Sequence, residues 1–429
     1  MKNVQTPKEG DSEKELMEIG FEKAVELLYQ CRSESGFMAS PTQKDNYRRI
    51  WSRDGVIIGM AALLTGDSDL ADTFKRTLYT LADFQGPHGE IPSNVDPSSG
   101  RVSYGGMTGR VDADLWFIIG CGEYWNATGD DTFFEQMVPV MEKALFLLGA
   151  WEFNNRGLLY VPETGDWADE YIHNGYVLYD QLLYLQALRT MAVVRKKRYC
   201  LYDHSLNEKI SRLKHLIRDN YWFYGRDGVP DDVYHDILYQ KGQKAADQCK
   251  GKYWVPFFSP HGYGYRFDSF ANILASLLGV SDREQQDKVN DYIESEIMKK
   301  KGMLMPAFHP VIKPLDHDWE DLKMTFSYTF KNQPYQYHNG GLWPMISGFY
   351  AADLAAHGKL DAAKKMVVNI HNANRLEMNG LPWSFPEYVH GTDFTAGGTR
   401  QQGWSAAGAL IGHFALEKKR FFRISSQDW

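Results

Sequence analysis

The chain has 429 residues, 43% of them hydrophobic, and sets 47 Lys and Arg against 55 Asp and Glu. A net charge of −8 supplies no basic face for nucleic acid or an anionic membrane, and no apolar run reaches the roughly 18 residues of a membrane span. The four cysteines form no C-x-x-C pair, which argues against a zinc knuckle or disulfide framework.

The opening MKNVQTPKEGDSEKELMEIG holds no apolar leader, so a cytoplasmic protein is expected. Near 13–32, Met17, Phe21, Ala24 and Leu28 fall at i, i+4, i+7 and i+11, the spacing of an amphipathic helix. GVIIGMAALL then follows, apolar almost all round, as a helix must be when neighbours cover every face. It runs through Gly66 (LLTGDSDLA) into an amphipathic stretch marked by Phe74, Leu78 and Leu81. The same pair recurs as LWFIIGCG, Gly129 (NATGDDTFF) and the stripe Phe134, Val138, Met141 and Leu145. It recurs again as FANILASLLG, Gly279 (LLGVSDREQ) and Val289, Ile293 and Ile297, and once more around Gly358 (AAHGKLDAA). KKRYCLYDHS is a longer joint of the same kind. Glycine at a helix end with Asp or Ser starting the next helix is the chemistry of a stop and restart.

The remaining connections are long, near 33–53, 86–111, 153–173, 223–266, 300–338 and 379–400. Loops beyond about 12–15 residues are usually functional or disordered, and these are rich in Trp, Tyr, His and Gly. About twelve helices in six hairpins, short turns at one end and long loops at the other, predict an all-α (α/α)6 toroid. The outer helix of the last pair comes from the N-terminal segment, and 1–429 reads as one catalytic domain.

The loop ends carry WSRDG, HGEIPS, GRVDADLW, TGDWADEY, GYRFDSF, YHNGGLWP, FPEY and RQQGW. Nearly all mix an aromatic ring with a carboxylate, amide or histidine, which suits a polyhydroxylated ligand: rings stack on sugar faces and polar groups bond the hydroxyls. Asp54 and Asp268 are equally placed to be helix caps or first-turn acids. The chain lacks H-E-x-x-H, G-x-x-x-x-G-K-[ST] and G-x-S-x-G. The cluster His317, Asp318, Glu320 and Asp321 reads as a solvated loop, so neither metal nor cofactor is expected.

Paired carboxylates remain. Glycosidic cleavage needs one carboxylic acid to protonate the leaving oxygen and a second carboxylate to activate water or attack. ETGDWADEY gathers Glu163, Asp166, Asp169 and Glu170 ahead of a helix expected near Asn174. Mutual repulsion and burial beside Trp167 and Tyr171 are expected to raise at least one of their pKa values. Either Asp166 or Asp169 fits the acid, and Glu387 of FPEY offers the distant partner.

WSRDG, HGEIPS, RVDADLW and WADE resemble the catalytic domain of glycogen-debranching amylo-α-1,6-glucosidases. YRFDSFANILA, YHNGGLWP, FPEY and RQQGW are more similar still to the alkaline/neutral invertases, glycoside hydrolase family 100. The similarity spans about residues 47–415 in the family's order. It implies an (α/α)6 fold, an inverting mechanism, Asp169 as general acid and Glu387 as general base. It also implies a sugar subsite lined by Trp51, Arg53, Asp54, Asp268, His338, Asn339, Trp343 and Gln402. Asp112, Trp167 and Trp404, on the same loop ends, complete the expected substrate contacts. Two departures adjoin the reacting groups: D-E-Y follows where the invertases have D-R-R-M, and FPEY replaces W-P-E-Y. The expectation is an exo-acting hydrolase of a terminal glucose-type residue in a di- or oligosaccharide, either an α-glucoside or sucrose. A catalytically silent sugar-binding protein and an (α/α)6 sugar isomerase are the alternatives; the isomerase would need a histidine pair.

Overall fold

At most joints a left-handed residue ends one helix and an aspartate caps the next, and this joint, repeated, builds the molecule. The exception is Lys359 before Leu360–Asn374, whose side chain makes no cap bond. A computed structural model describes residues 13–42, 44, 46–200, 202–224, 228–300, 302–325 and 329–424. After α1 (Glu13–Gln30), α2 (Ser52–Thr65) ends on Gly66 at φ 74°, and Asp67 accepts the Asp69 and Leu70 N–H groups to open α3 (Ser68–Asp83). α4 (Val111–Thr128) ends on Gly129 at φ 67°, and Asp130 caps α5 (Asp131–Ala150). At the end of α6 (Leu178–Tyr199), Cys200 takes the left-handed position at φ 51°, and Asp203 caps α7 (His204–Tyr221).

α8 (Asp236–Ala245) lies within a long loop. α9 (Ser269–Leu277) leads through Gly279 to Asp282, which forms a capping box with Gln285 at the start of α10 (Arg283–Tyr292). α10 runs on into a π-helical turn, Ile293–Ile297. α11 (Trp319–Met324) is again a loop helix, and α12 (Pro344–Ala356), α13 (Leu360–Asn374) and α14 (Gly403–Leu416) finish the chain of helices.

Burial separates two layers. α2, α4, α6, α9, α12 and α14 are buried on almost every face, whereas α3, α5, α7, α10 and α13 bury one stripe. The inner six touch in sequence, and α14 packs back on α2 to close the ring. α1 supplies the sixth outer helix by lying against α13 and α14. This is the expected (α/α)6 toroid. The α12–α14 approach depends on glycine: a Cβ on Gly348 would sit 2.1 Å from the Gly408 carbonyl oxygen.

Two details depart from the sequence reading. α6 begins at Leu178 rather than near Asn174, because residues 176–177 instead pair with strand 257–259. The loops near 223–266 and 300–338 carry α8 and α11, whose short stripes give little periodic signal. Two- and three-residue antiparallel strands tie the long loops together: 50–51 with 94–96, 267–268 with 308–309, and 388–389 with 396–397. They brace the rim into which the inner-helix N-termini open.

The other end is stopped by the tail. Phe422 stacks on Trp116 of α4, Phe421 meets Phe349 of α12, and the Glu123 carboxylate accepts the Arg423 and Ile424 N–H groups. Gln186 of α6 donates to the Ile424 carbonyl, and Arg423 reaches the Leu63 carbonyl of α2. No helix among the described residues is long and apolar enough to cross a membrane.

Candidate active site

Arg53, one residue into α2, is the centre of the polar cluster at the mouth. Its Nη1 donates to Asp112 Oδ2 at 2.8 Å, its Nε lies 4.0 Å from Asp54, and its guanidinium stands 5.8 Å from the Trp404 ring. Burial opposes its charge, but Asp112, Asp54 and, more distantly, Asp169 more than offset that and push its pKa up. Tyr179 donates to the same Asp112 oxygen at 3.2 Å and accepts from the Trp116 indole at 2.7 Å, which fixes Asp112 from α6 and α4 together. Asp54 is a first-turn acid, not the cap of α2. Burial, with Glu387 and Asp112 adding repulsion against the pull of Arg53, raises its pKa to about 7.

Glu387 is held by neutral donors. Tyr47 donates to Oε1 at 2.8 Å and the Thr399 N–H to Oε2 at 2.9 Å. Desolvation outweighs these bonds and raises the carboxyl above the ordinary glutamate value. The backbone around it is strained: Phe385 sits at φ 43° directly before Pro386, where helical conformations are already disfavoured. Bonds from Phe385 N–H to the Asn374 carbonyl and from Gln402 N–H to the Phe385 carbonyl hold that turn. Gly398, at φ 76°, leaves the carboxyl its space; a Cβ there would lie 2.3 Å from Oε2.

Asp169 is held by a cation. Arg110 Nη2 donates to Oδ2 at 2.8 Å, while its Nη1 bonds the Thr164 carbonyl. Burial favours the neutral carboxyl, but Arg110, then Arg53 and Lys331, prevail and hold its pKa below the usual aspartate value. Among the clustered acids it is Glu170 that burial raises, against its 2.8 Å bond from Lys331. The expected upward shift therefore falls on Glu170, because Arg110 neutralises the repulsion at Asp169. Asp166 lies deeper, with Oδ2 3.2 Å from His173 Nδ1 and both residues buried. Lys331, over the Tyr337 ring at 5.1 Å, feels Glu170, Glu387 and Asp169.

The remaining expected contacts form the floor beneath this cluster. Trp51 is half-buried and its indole donates to the Asn46 carbonyl at 3.1 Å. Trp167 is buried edge-on to Trp343 and His338 and stacks on Phe308. His338 stacks on Trp343, and burial lowers its pKa to about 3, so it is neutral. Trp343 is fully buried with its indole bonded to the Tyr337 carbonyl.

Three residues serve the frame. Asn339 bonds Ile312 through both amide atoms and also the Asn332 carbonyl, tying two loops. The fully buried Gln402 amide donates to the Ala39 carbonyl and accepts from the Trp404 indole. Asp268 caps α9 through Oδ1, leaving Oδ2 without a protein partner and its pKa raised to about 7 by burial. His317 is exposed, and Asp318 pairs with Arg266.

Sequence reasoning did not single out Tyr47, Arg110, Tyr179, Lys331, Tyr337 or Thr399. Arg110 stood inside GRVDADLW, but only the fold shows that it reaches Asp169.

The alkaline and neutral invertase family profile matches residues 25–227 and 232–419. Alkaline/neutral invertase C, mitochondrial, of Arabidopsis thaliana is 24% identical over 88% of this chain and 62% of its own length. Cytosolic invertase 1 of Oryza sativa subsp. japonica is 23% identical over 87% and 72%. Among solved structures, a GH63 mannosylglycerate hydrolase from Thermus thermophilus in complex with Tris superposes with a TM-score of 0.63 at 15% identity. That match covers 91% of this chain and 99% of the other. A bacterial glucoamylase complexed with acarbose gives 0.63 at 15%, covering 95% and 56%. Ring, rim and sequence profile agree: the chain belongs to the alkaline and neutral invertase family of glycoside hydrolases.

Proposed function

We propose that the protein is an exo-acting, inverting glycosidase, one catalytic domain over its whole length, that removes a terminal glucose-type residue from a di- or oligosaccharide. The observation that carries this reading is a meeting of two carboxyls. Asp169 and Glu387, more than 200 residues apart in sequence, both act on Lys331 and on the Tyr337 phenol. Asp169 is the general acid and Glu387 the general base. Glu387 suits its role because Tyr47 and Thr399 fix both oxygens and burial raises its proton affinity, which strengthens a base. In the acid role, the leaving oxygen replaces Arg110 at Asp169 Oδ2; without the cation, burial drives the carboxyl toward its protonated form. Arg53 and Asp54 hold ring hydroxyls, and Trp51 and Trp404 flank them. Inversion requires a carboxyl separation of about 6.5–9.5 Å, room for one water.

The substrate is an α-glucoside in preference to sucrose, since Glu170 and Tyr171 follow Asp169 where the invertases carry D-R-R-M. A cytoplasmic site of action belongs to the same reading, supported by the similarity to a cytosolic invertase. The titration order favours a second assignment with the roles exchanged, because Glu387 is raised and Asp169 lowered. A glucosyl fluoride decides between them, as fluoride leaves without a proton. Asp169→Asn is expected to recover most activity on the fluoride, and Glu387→Gln none; the opposite pattern exchanges the roles. Proton NMR of the first minutes of turnover of maltose, isomaltose, kojibiose, trehalose and sucrose tests the rest. β-Glucose released from an α-glucoside is the expected product, and α-glucose would refute inversion.

A further inference from the structure

A cavity of about 600 Å³ opens beside the mouth, between the loop at 104–111 and the end of α5. Arg110 belongs to both places: its Nη2 holds Asp169, and its side chain lines the cavity wall. The general acid stands by the leaving oxygen, so the flank beyond Arg110 faces the leaving group and not the terminal ring. Tyr104, Trp151, Phe153 and Tyr160 supply the walls. Phe153 and Tyr104 are exposed, Phe153 by 74%, and Phe153 meets Tyr160 edge-on at 5.9 Å. Tyr104 is anchored through its hydroxyl to the Phe84 carbonyl at 2.9 Å, so its ring is a fixed surface.

The polar end is Asp114, which is 1% exposed. Its Oδ1 accepts from the Ile91 N–H at 3.2 Å, and its Oδ2 has no protein partner. A buried carboxyl with an unused oxygen is costly unless something bonds to it. Asp114 is one of the residues lining the aromatic-walled cavity, with Oδ2 itself covered. Flat apolar surfaces bordered by polar side chains describe a sugar subsite: rings for the C–H faces, and Arg110, Thr108 and Glu90 for hydroxyls.

We propose that this cavity is a carbohydrate subsite on the leaving-group side, holding rings of an α-glucan oligosaccharide beyond the first one after the scissile bond. The inference rests on the glycosidase reading with Asp169 as acid, and it names the substrate as an oligosaccharide rather than a disaccharide. The side chain of Arg110 then lies under the chain as it passes from mouth to cavity, which couples occupancy of the cavity to the cation at Asp169.

The test uses maltose and isomaltose against maltotetraose and isomaltotetraose, with the native enzyme and Phe153→Ala, Tyr160→Ala and Asp114→Asn. Loss of one aromatic wall is expected to raise KM for the favoured tetrasaccharide about tenfold while leaving the disaccharide unchanged. Phe153 is exposed, so its variant folds even if Asp114→Asn does not. Equal KM values for short and long substrates, or equal losses on both, would overturn the subsite. Calorimetry on the Glu387→Gln form separates the two ideas. If the native enzyme cleaves nothing in the panel, the α-glucan reading of the substrate fails. The cavity still stands if the tetrasaccharide binds more tightly than the disaccharide and Phe153→Ala removes the difference; no binding, or no difference, overturns it.

Discussion

The two carboxyls at the mouth are prepared in opposite ways. Glu387 is enclosed and receives only neutral donors, so solvation dominates and its proton affinity rises. Asp169 is partly open and faces Arg110, so charge dominates and its proton affinity falls. One group is tuned by the loss of solvent and the other by the cations around it, Arg110 first. A cradle of neutral donors leaves burial in control, whereas an adjacent cation overrides it.

The strongest way to break the contrast is through the cradle. Gly398→Ala places a methyl group against Glu387 in a left-handed position. It is expected to lower kcat about 100-fold or more, within the range that an acid–base group supplies, and to destabilise by about 1–3 kcal/mol. Steady-state kinetics and denaturant melts measure both; a near-native kcat would show that the cradle is not needed. Arg110→Met attacks the other side. The Asp169 pKa should climb, as the loss of an adjacent guanidinium implies. The pH limb of kcat/KM that reports Asp169 then moves upward, and an unmoved profile refutes cation control.

Tyr47→Phe sharpens the comparison with less force. It removes one donor from Glu387 and sends the carboxyl still higher, so the acid limb moves up and kcat drops about tenfold. The smallest effect concerns stability. Asp268 has a folded pKa of about 7 against about 3.9 unfolded. Its contribution is favourable below pH 4 and is lost as pH rises through 7. Asp268→Asn keeps a cap for α9 and removes the buried charge, so Tm should rise by a few degrees at pH 8 and hardly at pH 4. Calorimetric scans at the two pH values check it, and a pH-independent change would refute the buried-charge account.

Hairpin by hairpin, the ring was legible, because each joint has its own local chemistry. Gly66, Gly129, Gly279 and Gly358 all adopt positive φ, and Asp67, Asp130, Asp203 and Asp282 all cap. Cys200 in the glycine position shows the limit: the backbone needs a left-handed residue there, but the letter does not announce it. The site was legible in part. Arg53, Asp54 and Asp112 assemble from loop-end motifs that mark themselves by composition. Arg110 and Tyr47 did not stand out, since an arginine or tyrosine on a loop gains its role only from what the fold brings opposite. Trp343, Asn339 and Gln402 are buried and bonded into the floor and the loops, contacts that a motif alone does not reveal.

The tail that packs Phe421, Phe422 and Ile424 among the inner helices has a consequence for traffic. A ring open at both ends would let a substrate enter by one door and its product depart by another. This ring is stoppered, so whatever comes in must back out the same way. On the exo reading proposed above, product and substrate share that one entrance, and added monosaccharide is expected to inhibit competitively.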